Sequence, residues 1–460
     1  MTGWPGRGGR ARAAQAERGV LARVAGAEVR EHRLRNGLRL MLVERHADPV
    51  VSVILWYGVG ARHETETESG MAHFLEHMMF KGSAGFAKGE VDRLTARLGG
   101  SNNAFTTADH TAYWFEFASD RWEQALAIES DRMANLTLDG KEFSSEREVV
   151  LEELSMGEDD PWRSLSRRVQ RVLFQRHPYG EPVVGRADRL RRMTVEDMAA
   201  WHRRYYHPGN ATLLICGDFS SPRALRLVRR HFGSIPAGAP MAEVEPYRPP
   251  LVEPAGPQRL ELRWDDPNAR LCLAWPTVKA GEDADWVLDV ITTVLTGGRL
   301  GRLYRKLVLN EGLATTISTS NDTRVEGGAF WLFAEAAPGV EPERLERALR
   351  AELVLLAREG VSAADLKVAR RILAASEAYS RETVTDLAED IGEWAVDVDW
   401  RLALVGPERW ARVRTRQVRE VVERYLKPER CVTGWSLPRE HKQSGEQRAA
   451  GRRRGKAGGR

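Results

Sequence analysis

Apolar and polar positions along this chain read as strands and helices in an order that occurs twice. Val29 to His46 predicts a hairpin, because Glu31–Leu34 and Leu38–Val43 flank Asn36-Gly37, a pair that favours the tight turn between antiparallel strands. Pro49 to Tyr57 is a dense apolar run and predicts a buried strand. Gly58 to Ser69, rich in glycine and acids, reads as a loop. Met71 to Phe80 has no proline or internal glycine and predicts a helix, followed by a second over Lys88 to Leu98. Strands are expected at Asn102–Thr107 and Thr111–Phe117, then helices at Asp120–Leu136 and Lys141–Met156. Asp160-Pro161 starts another helix with Asp as cap and Pro in the first turn. Thr194–Tyr206 opens on a Thr cap with two acids behind it. Ala211–Cys216 is a strand and Pro222–Phe232 a helix.

Ile235 to Gln258 holds seven prolines, too many for regular structure. Beyond it the order begins again. Strands are predicted at Leu260–Arg263 and Ala269–Trp275, a helix at Asp283–Leu295, and strands at Thr315–Ser320 and Gly328–Glu335. Helices at Pro342–Glu359, Ser362–Ile391 (as one helix or with a break) and Val418–Tyr425 precede a last strand at Cys431–Trp435. The repetition implies an α+β protein of two homologous domains, each an antiparallel-rich sheet with helices packed on one side. The expected divisions are a disordered basic start (1–27), a first domain (28–236), a Pro-rich linker (237–258), a second domain (259–438) and a disordered basic tail (439–460).

Composition refines this picture in three ways. A chain of 460 residues exceeds what one ordinary core supports. The net charge of +4 conceals a division: residues 1–27 contribute +4 and residues 439–460 contribute +6, which leaves −6 for the folded part. No aromatic residue interleaves the basic tail, so it offers no stacking platform and no nucleic-acid role is expected. No apolar run approaches about 18 residues and the Arg-rich start has no apolar segment, so neither a membrane span nor a secretory signal is expected, and the expected location is cytoplasmic. Cys216, Cys272 and Cys431 each sit in an apolar run with no close partner, as small core residues do.

The candidate chemistry lies in His73-Phe74-Leu75-Glu76-His77. On a helix His73 and His77 leave the same face and Glu76 lies beside them. Two neutral imidazoles can hold zinc, and the adjacent carboxylate can take a proton from the attacking water. Downstream, Glu146 and Glu153 stand two turns apart on one face of the helix predicted over Lys141–Met156. The acids of the preceding loop, Glu64, Glu66 and Glu68, with His63, read as a solvated face.

With these residues the chain resembles the M16 (pitrilysin) metallopeptidases, whose inverted His-x-x-Glu-His motif is followed by a distant glutamate ligand. Leu98–Thr107 is similar to the family's substrate strand, and His177–Gly180, Gly185, Tyr205–Ala211, Gly217-Asp218-Phe219 and Phe232–Pro236 are similar to its landmarks. The resemblance is to a two-domain bacterial M16B-type subunit, like the β subunit of the mitochondrial processing peptidase. It implies one Zn2+ per chain on His73, His77 and Glu153, with Glu76 as general base and Glu146 orienting a ligand imidazole. Glu152 is the adjacent alternative ligand, but it points about 100° away around the helix. The resemblance also implies that Asn103, Ala104 and Phe105 bind the substrate as an added strand, inside a clam-shell chamber closed by two such subunits.

Self-sufficient members of that family carry an Arg and a Tyr in the second domain. The matching positions here are Val308 and Thr315, with Arg302 or Tyr304 as out-of-register alternatives. The implied function is therefore a zinc endopeptidase acting as the catalytic subunit of a heterodimer, with a homologous non-catalytic partner that supplies Arg and Tyr. A homodimer is the alternative assembly. Alternative functions are maturation of one precursor peptide and a structural role like that of respiratory core proteins. In processing peptidases, acids past the third ligand read a substrate arginine. Here Arg163 and Arg167 stand at those spacings, which points to an acidic or apolar substrate side chain instead.

Overall fold

The computed structural model describes residues 21–24, 27–244 and 248–439. One sheet holds β1 (Leu21–Val24), β2 (Ala27–Arg33), β3 (Arg39–Glu44), β4 (Val50–Tyr57), β5 (Ser101–Thr106), β6 (Thr111–Ala118) and β7 (Ala211–Gly217), in the order β1-β2-β3-β7-β4-β6-β5. The other holds β8 (Gln258–Trp264), β9 (Arg270–Pro276), β10 (Ala314–Asp322), β11 (Ala329–Ala336) and β12 (Val432–Pro438), in the order β10-β11-β9-β12-β8. Read from β3 and from β8, the two orders are the same. In each, the last strand of the half inserts beside the first and parallel to it, and the other pairings are antiparallel. The repeated pattern in the sequence is thus a repeated topology, and the fold is α+β with two such domains.

The helices follow the same repetition. The first half has α1 (Met71–Met78), α2 (Glu90–Arg97), α3 (Glu123–Asn135), α4 (Gly140–Glu158), α5 (Pro161–Phe174), α6 (Val195–Tyr205) and α7 (Ser221–Phe232). The second has α8 (Asp283–Thr296), α9 (Pro342–Glu359), α10 (Ala363–Tyr379), α11 (Val384–Asp397), α12 (Gly406–Arg412) and α13 (Thr415–Tyr425). The expected caps are present: Asp160 accepts from the Arg163 N–H with Pro161 in the first turn, and Thr194 forms a capping box with Asp197. Of the two readings of Ser362–Ile391, the broken one holds: there are two helices, interrupted before Thr383, whose side chain caps α11.

Strand alternation explains the dense apolar runs. Val51, Val53, Leu55 and Tyr57 of β4 face the helices of their own half, with Phe74, Leu75, Phe143, Val150 and Trp201. Ile54 and Trp56 face the other way and are equally buried. Their cover comes from the second half: Val384, Leu387, Ala388 and Ile391 of α11 pack there with Met41 and Leu214. The exchange is reciprocal, since Leu165, Val169, Leu173 and Phe174 of α5 cover Cys272, Ala274, Trp331 and Val432 of the second sheet. Both faces of the central strands are thus apolar because both are buried. All three cysteines are buried, as expected.

Three other features differ from expectation or fall outside it. The chain already pairs at Leu21–Val24 with β2, inside the stretch expected to be disordered. Residues 1–20 and 440–460, the remainder of the expected basic ends, lie outside the described residues. Tyr304–Asn310, which carries Val308, winds as a wide π-type turn. Among the described residues no helix is long and apolar enough to cross a membrane.

Ionic contacts tie the halves beside the exchanged helices. Glu326, between β10 and β11, accepts hydrogen bonds from His177 Nε2 at 2.8 Å and Arg62 Nη1 at 2.8 Å, and Arg248 Nε lies 2.9 Å away. His110 Nδ1 meets Asp397 Oδ1 of α11 at 2.9 Å. The bond from His177, aided by the charges of Arg248 and Arg62, holds the Glu326 carboxyl down at about 2, while burial opposes the shift. A depressed carboxyl contributes stability that is present above its unfolded value and lost as pH falls toward 2. Glu326→Gln is therefore expected to lower unfolding free energy at pH 7 by on the order of 2–3 kcal/mol. The gap between wild type and variant in urea unfolding should narrow between pH 4.5 and 3; a gap independent of pH would contradict this.

Candidate metal centre

Helix α1 turns its apolar side, Phe74, Leu75 and Met78, into the first core. His73 and His77 meet the carboxylates of α4, and Glu76 meets Thr106 of β5. Phe74 packs on Phe143 of α4 with ring centroids 4.7 Å apart, which fixes the distance between the two helices. As a result His73 Nε2 and His77 Nε2 both lie 3.7 Å from Glu153 Oε2. The three donor atoms lie within 4.8 Å of one another. Glu152 is exposed and belongs to no such group among the described residues.

Charge and hydrogen bonding set the ring states. His77 Nδ1 lies 3.0 Å from Glu146 Oε1, and Lys81 Nζ lies 2.5 Å from Glu146 Oε2. Burial alone would raise the Glu146 carboxyl, but the bonds from Lys81 and His77 outweigh it and hold it below the ordinary range. An ionised Glu146 accepts, so His77 Nδ1 donates to it, which turns Nε2 toward Glu153. Burial, with the neighbouring His77, pushes His73 down to about 4, so its imidazole is neutral, the form that ligates a metal. Its Nδ1 is buried without a hydrogen-bond partner among the described residues. Glu76 is raised by burial and held by a hydrogen bond from Thr106 Oγ1 at 2.5 Å.

Thr106 belongs to β5, which pairs only with β6 and leaves its other edge free among the described residues. Asn103, Ala104 and Phe105 lie on the same strand. Ala104 packs toward the helices, and Phe105 packs edge-on to Trp56 on the opposite face. A cavity of about 540 Å³ opens over the site, lined by His73, Thr106 and Glu153 from the first half and Asp322, Arg324 and Asp397 from the second.

Several contributors lay outside the sequence reading. Lys81 lies three residues beyond the end of α1, in the turn that follows, and Thr106 lies in the stretch similar to the family's substrate strand with no role expected of it. Of the loop before α1, Glu66 is exposed as expected and Glu68 half-buried, but His63 and Glu64 are not solvated: His63 is fully buried and Glu64 is 7% exposed. Glu64 accepts from the backbone N–H of Gly70 at 2.8 Å and of Ala72 at 2.9 Å, anchoring the start of the motif helix. In the second half, Arg302 and Lys306 both bind Glu352, at 2.7 and 2.6 Å, and Thr315 Oγ1 bonds Glu335 at 3.0 Å.

Residues 39–187 match the family model described as insulinase (peptidase family M16), and residues 192–373 match the peptidase M16 inactive domain. An uncharacterized zinc protease of Mycobacterium leprae is 31% identical over 339 residues, 73% of this chain and 75% of its own. The chain belongs to the M16 peptidase family. The zinc protease PqqE of Helicobacter pylori is 28% identical over 410 residues, 88% of this chain and 92% of its own. The crystal structure of a protease from Helicobacter pylori superposes with a TM-score of 0.86 at 25% identity, covering 90% of this chain and all of that one. Within this M16 chain the inactive-domain match takes in most of the half that lacks His-x-x-Glu-His.

The start of α1 is further fixed by backbone contact. Gly70 has φ of 94° and lies against Gly185, where a Cβ would come within 2.3 Å of Gly70 Cα. Gly185, at φ 83°, cannot carry a side chain without moving α1. Gly185→Ala is expected to destabilise the protein by more than about 1 kcal/mol, read as a lowered urea midpoint at unchanged slope; an unchanged midpoint would refute the contact.

Proposed function

We propose that this chain is a zinc-dependent endopeptidase, cleaving peptides or unfolded segments bound as an added strand, and that it is the catalytic subunit of a heterodimer. The observation that supports this reading is the convergence of His73 Nε2 and His77 Nε2 on Glu153 Oε2 beside a free sheet edge.

The donor set fits zinc. Two imidazole nitrogens and a carboxylate oxygen, 3.7 Å apart along two edges, come close to the ligand spacing of about 3.4 Å in a tetrahedron with bonds near 2.1 Å. When bound there, zinc would supply Lewis acidity, polarising the peptide carbonyl and acidifying water. His73, His77 and Glu153 would hold it. Glu76, oriented by Thr106 Oγ1, takes the proton of the attacking water and returns it to the departing amine nitrogen. Burial raises its proton affinity, as a base that must hold that proton requires. Glu146, kept ionised by Lys81, holds the His77 ring in place. The substrate lies along β5 at Asn103, Ala104 and Phe105, where main-chain hydrogen bonds select an extended backbone.

Substitutions separate the roles. Glu76→Gln is expected to retain one zinc per chain and lose turnover, whereas His73→Ala or Glu153→Gln loses both and Glu152→Gln loses neither. Metal content and peptide hydrolysis measured on the same samples decide; a fully active Glu76→Gln protein would remove the assignment.

At the positions that match the family's Arg and Tyr, the second half carries neither residue. Val308 is an apolar packing residue, Thr315 is bound to Glu335, and Arg302 is engaged by Glu352. Such donors are each worth roughly 3–4 kcal/mol in transition-state stabilisation. A homologous partner subunit without His-x-x-Glu-His supplies them. The isolated chain is therefore expected to show at most about a hundredth of the hydrolysis rate of the reconstituted pair; full activity from the isolated chain would reject the heterodimer.

A further inference from the structure

The second half has a cavity of its own, about 170 Å³, lined by residues of α8, α10, α11 and α12. Three indoles line it. Trp286 stacks on Trp394 with ring centroids 5.8 Å apart and 19° between the planes, and Trp410 stands edge-on to Trp286 at 6.0 Å. Four carboxylates line it as well: Asp285 and Asp289 of α8, Glu377 of α10 and Asp390 of α11. Arg381 answers two of them. Its Nη2 lies 2.5 Å from Glu377 Oε1 and 2.6 Å from Asp390 Oδ2, and it also donates to the Ala403 carbonyl.

The other two have neutral partners among the described residues. Asn321 Nδ2 donates to Asp285 at 2.7 Å and to Asp289 at 2.9 Å; the Gly281 N–H and Thr323 Oγ1 also donate to Asp285, and Trp410 Nε1 to Asp289. Burial, with Asp285 beside it, pushes the Asp289 carboxyl up to about 6. Burial also pushes Glu377 up to about 7 against the pull of Arg381. Acid therefore outnumbers cation in the cavity. A second observation is independent of these charges. Trp286 is 5% exposed, and its indole Nε1, which can only donate, is buried with no hydrogen-bond partner among the described residues. Bare metal is not the match: among the described residues, metal-ligand spacing occurs only at His73, His77 and Glu153. Surplus carboxylate, aromatic faces and a spare N–H together suit an organic cation that also carries an acceptor.

We propose that this cavity binds a small organic ammonium ion with an oxygen acceptor close to the nitrogen, as in an amino alcohol. Asp289 and Glu377 take the charge, the indole faces take the alkyl part, and Trp286 Nε1 donates to the oxygen. The small volume excludes a bulky occupant. None of His73, Glu76, His77 and Glu153 lines the cavity, so its ligand is independent of peptide hydrolysis.

A lysine side chain of another protein carries the same ammonium, and the test separates the two sources. Ethanolamine, choline, propylamine and Nα-acetyl-lysinamide are titrated into the full-length protein by calorimetry at constant ionic strength, with magnesium chloride as a further titrant. Ethanolamine or choline is expected to saturate at one equivalent per chain and to bind more tightly than propylamine, which lacks the acceptor. Asp289→Asn and Glu377→Gln keep the side-chain shape and should each weaken that binding by at least about tenfold; urea unfolding of the same samples reports whether each variant is folded. Trp286→Phe keeps an aromatic face without the donor, and should abolish the difference between ethanolamine and propylamine. No saturable binding of ethanolamine or choline to the wild-type protein would overturn the proposal. So would a Kd unchanged in both folded carboxylate variants, tighter binding of magnesium than of either amine, or binding of Nα-acetyl-lysinamide in preference to the free amines.

Discussion

The contact between α1 and α4 is what the candidate site depends on. The donor atoms come from helices far apart in sequence, and nothing local brings them together. Phe74 on Phe143 sets the helix separation, and the Lys81–Glu146–His77 chain sets the rotation of one ring within it. The rest of the first half serves that contact. Glu64 and the Gly70–Gly185 approach stop α1 from sliding, and Thr106 carries the same order to Glu76 from the sheet edge. His77 and the half-buried Glu76 each have a partner besides the metal site, Glu146 and Thr106, that holds them in place.

The site also lies where the halves meet. Its cavity has one wall from each half, and the ionic contacts of Glu326 and Asp397 run alongside it. Buried charge pairs contribute little net stability, because desolvation offsets attraction, but they strongly disfavour any arrangement that separates the partners. That property suits a cleft whose two walls must keep their register.

Legibility in the sequence followed the range of the interaction. Short-range signals were reliable: Asn36-Gly37, the caps at Asp160 and Thr194, and the spacing of His73 and His77 all describe neighbours along the chain. The repeated order of elements was legible because each half repeats its own apolar pattern. The role of Glu64 was not, since an acid in a polar loop looks solvated until the helix it anchors is in place. Nor was the exchange of α5 and α11. An amphipathic helix shows that it has a buried face but not which sheet it covers. The dense runs of β4 and β7 carried the missing clue, because a strand apolar on both sides requires two covers.

The reciprocal covering has a consequence for synthesis. When β7 leaves the ribosome, the first sheet is complete, yet the outward Met41, Ile54, Trp56 and Leu214 have no cover until α11 emerges roughly 170 residues later. At translation rates of about 5–20 residues per second, that leaves an apolar sheet face bare for on the order of ten to thirty seconds. A nascent chain in that condition is a natural client for a holdase. The first half, although it contains the whole His-x-x-Glu-His motif and Glu153, is not a unit that evolution could cut free: its solubility is encoded in a helix that belongs to the other half.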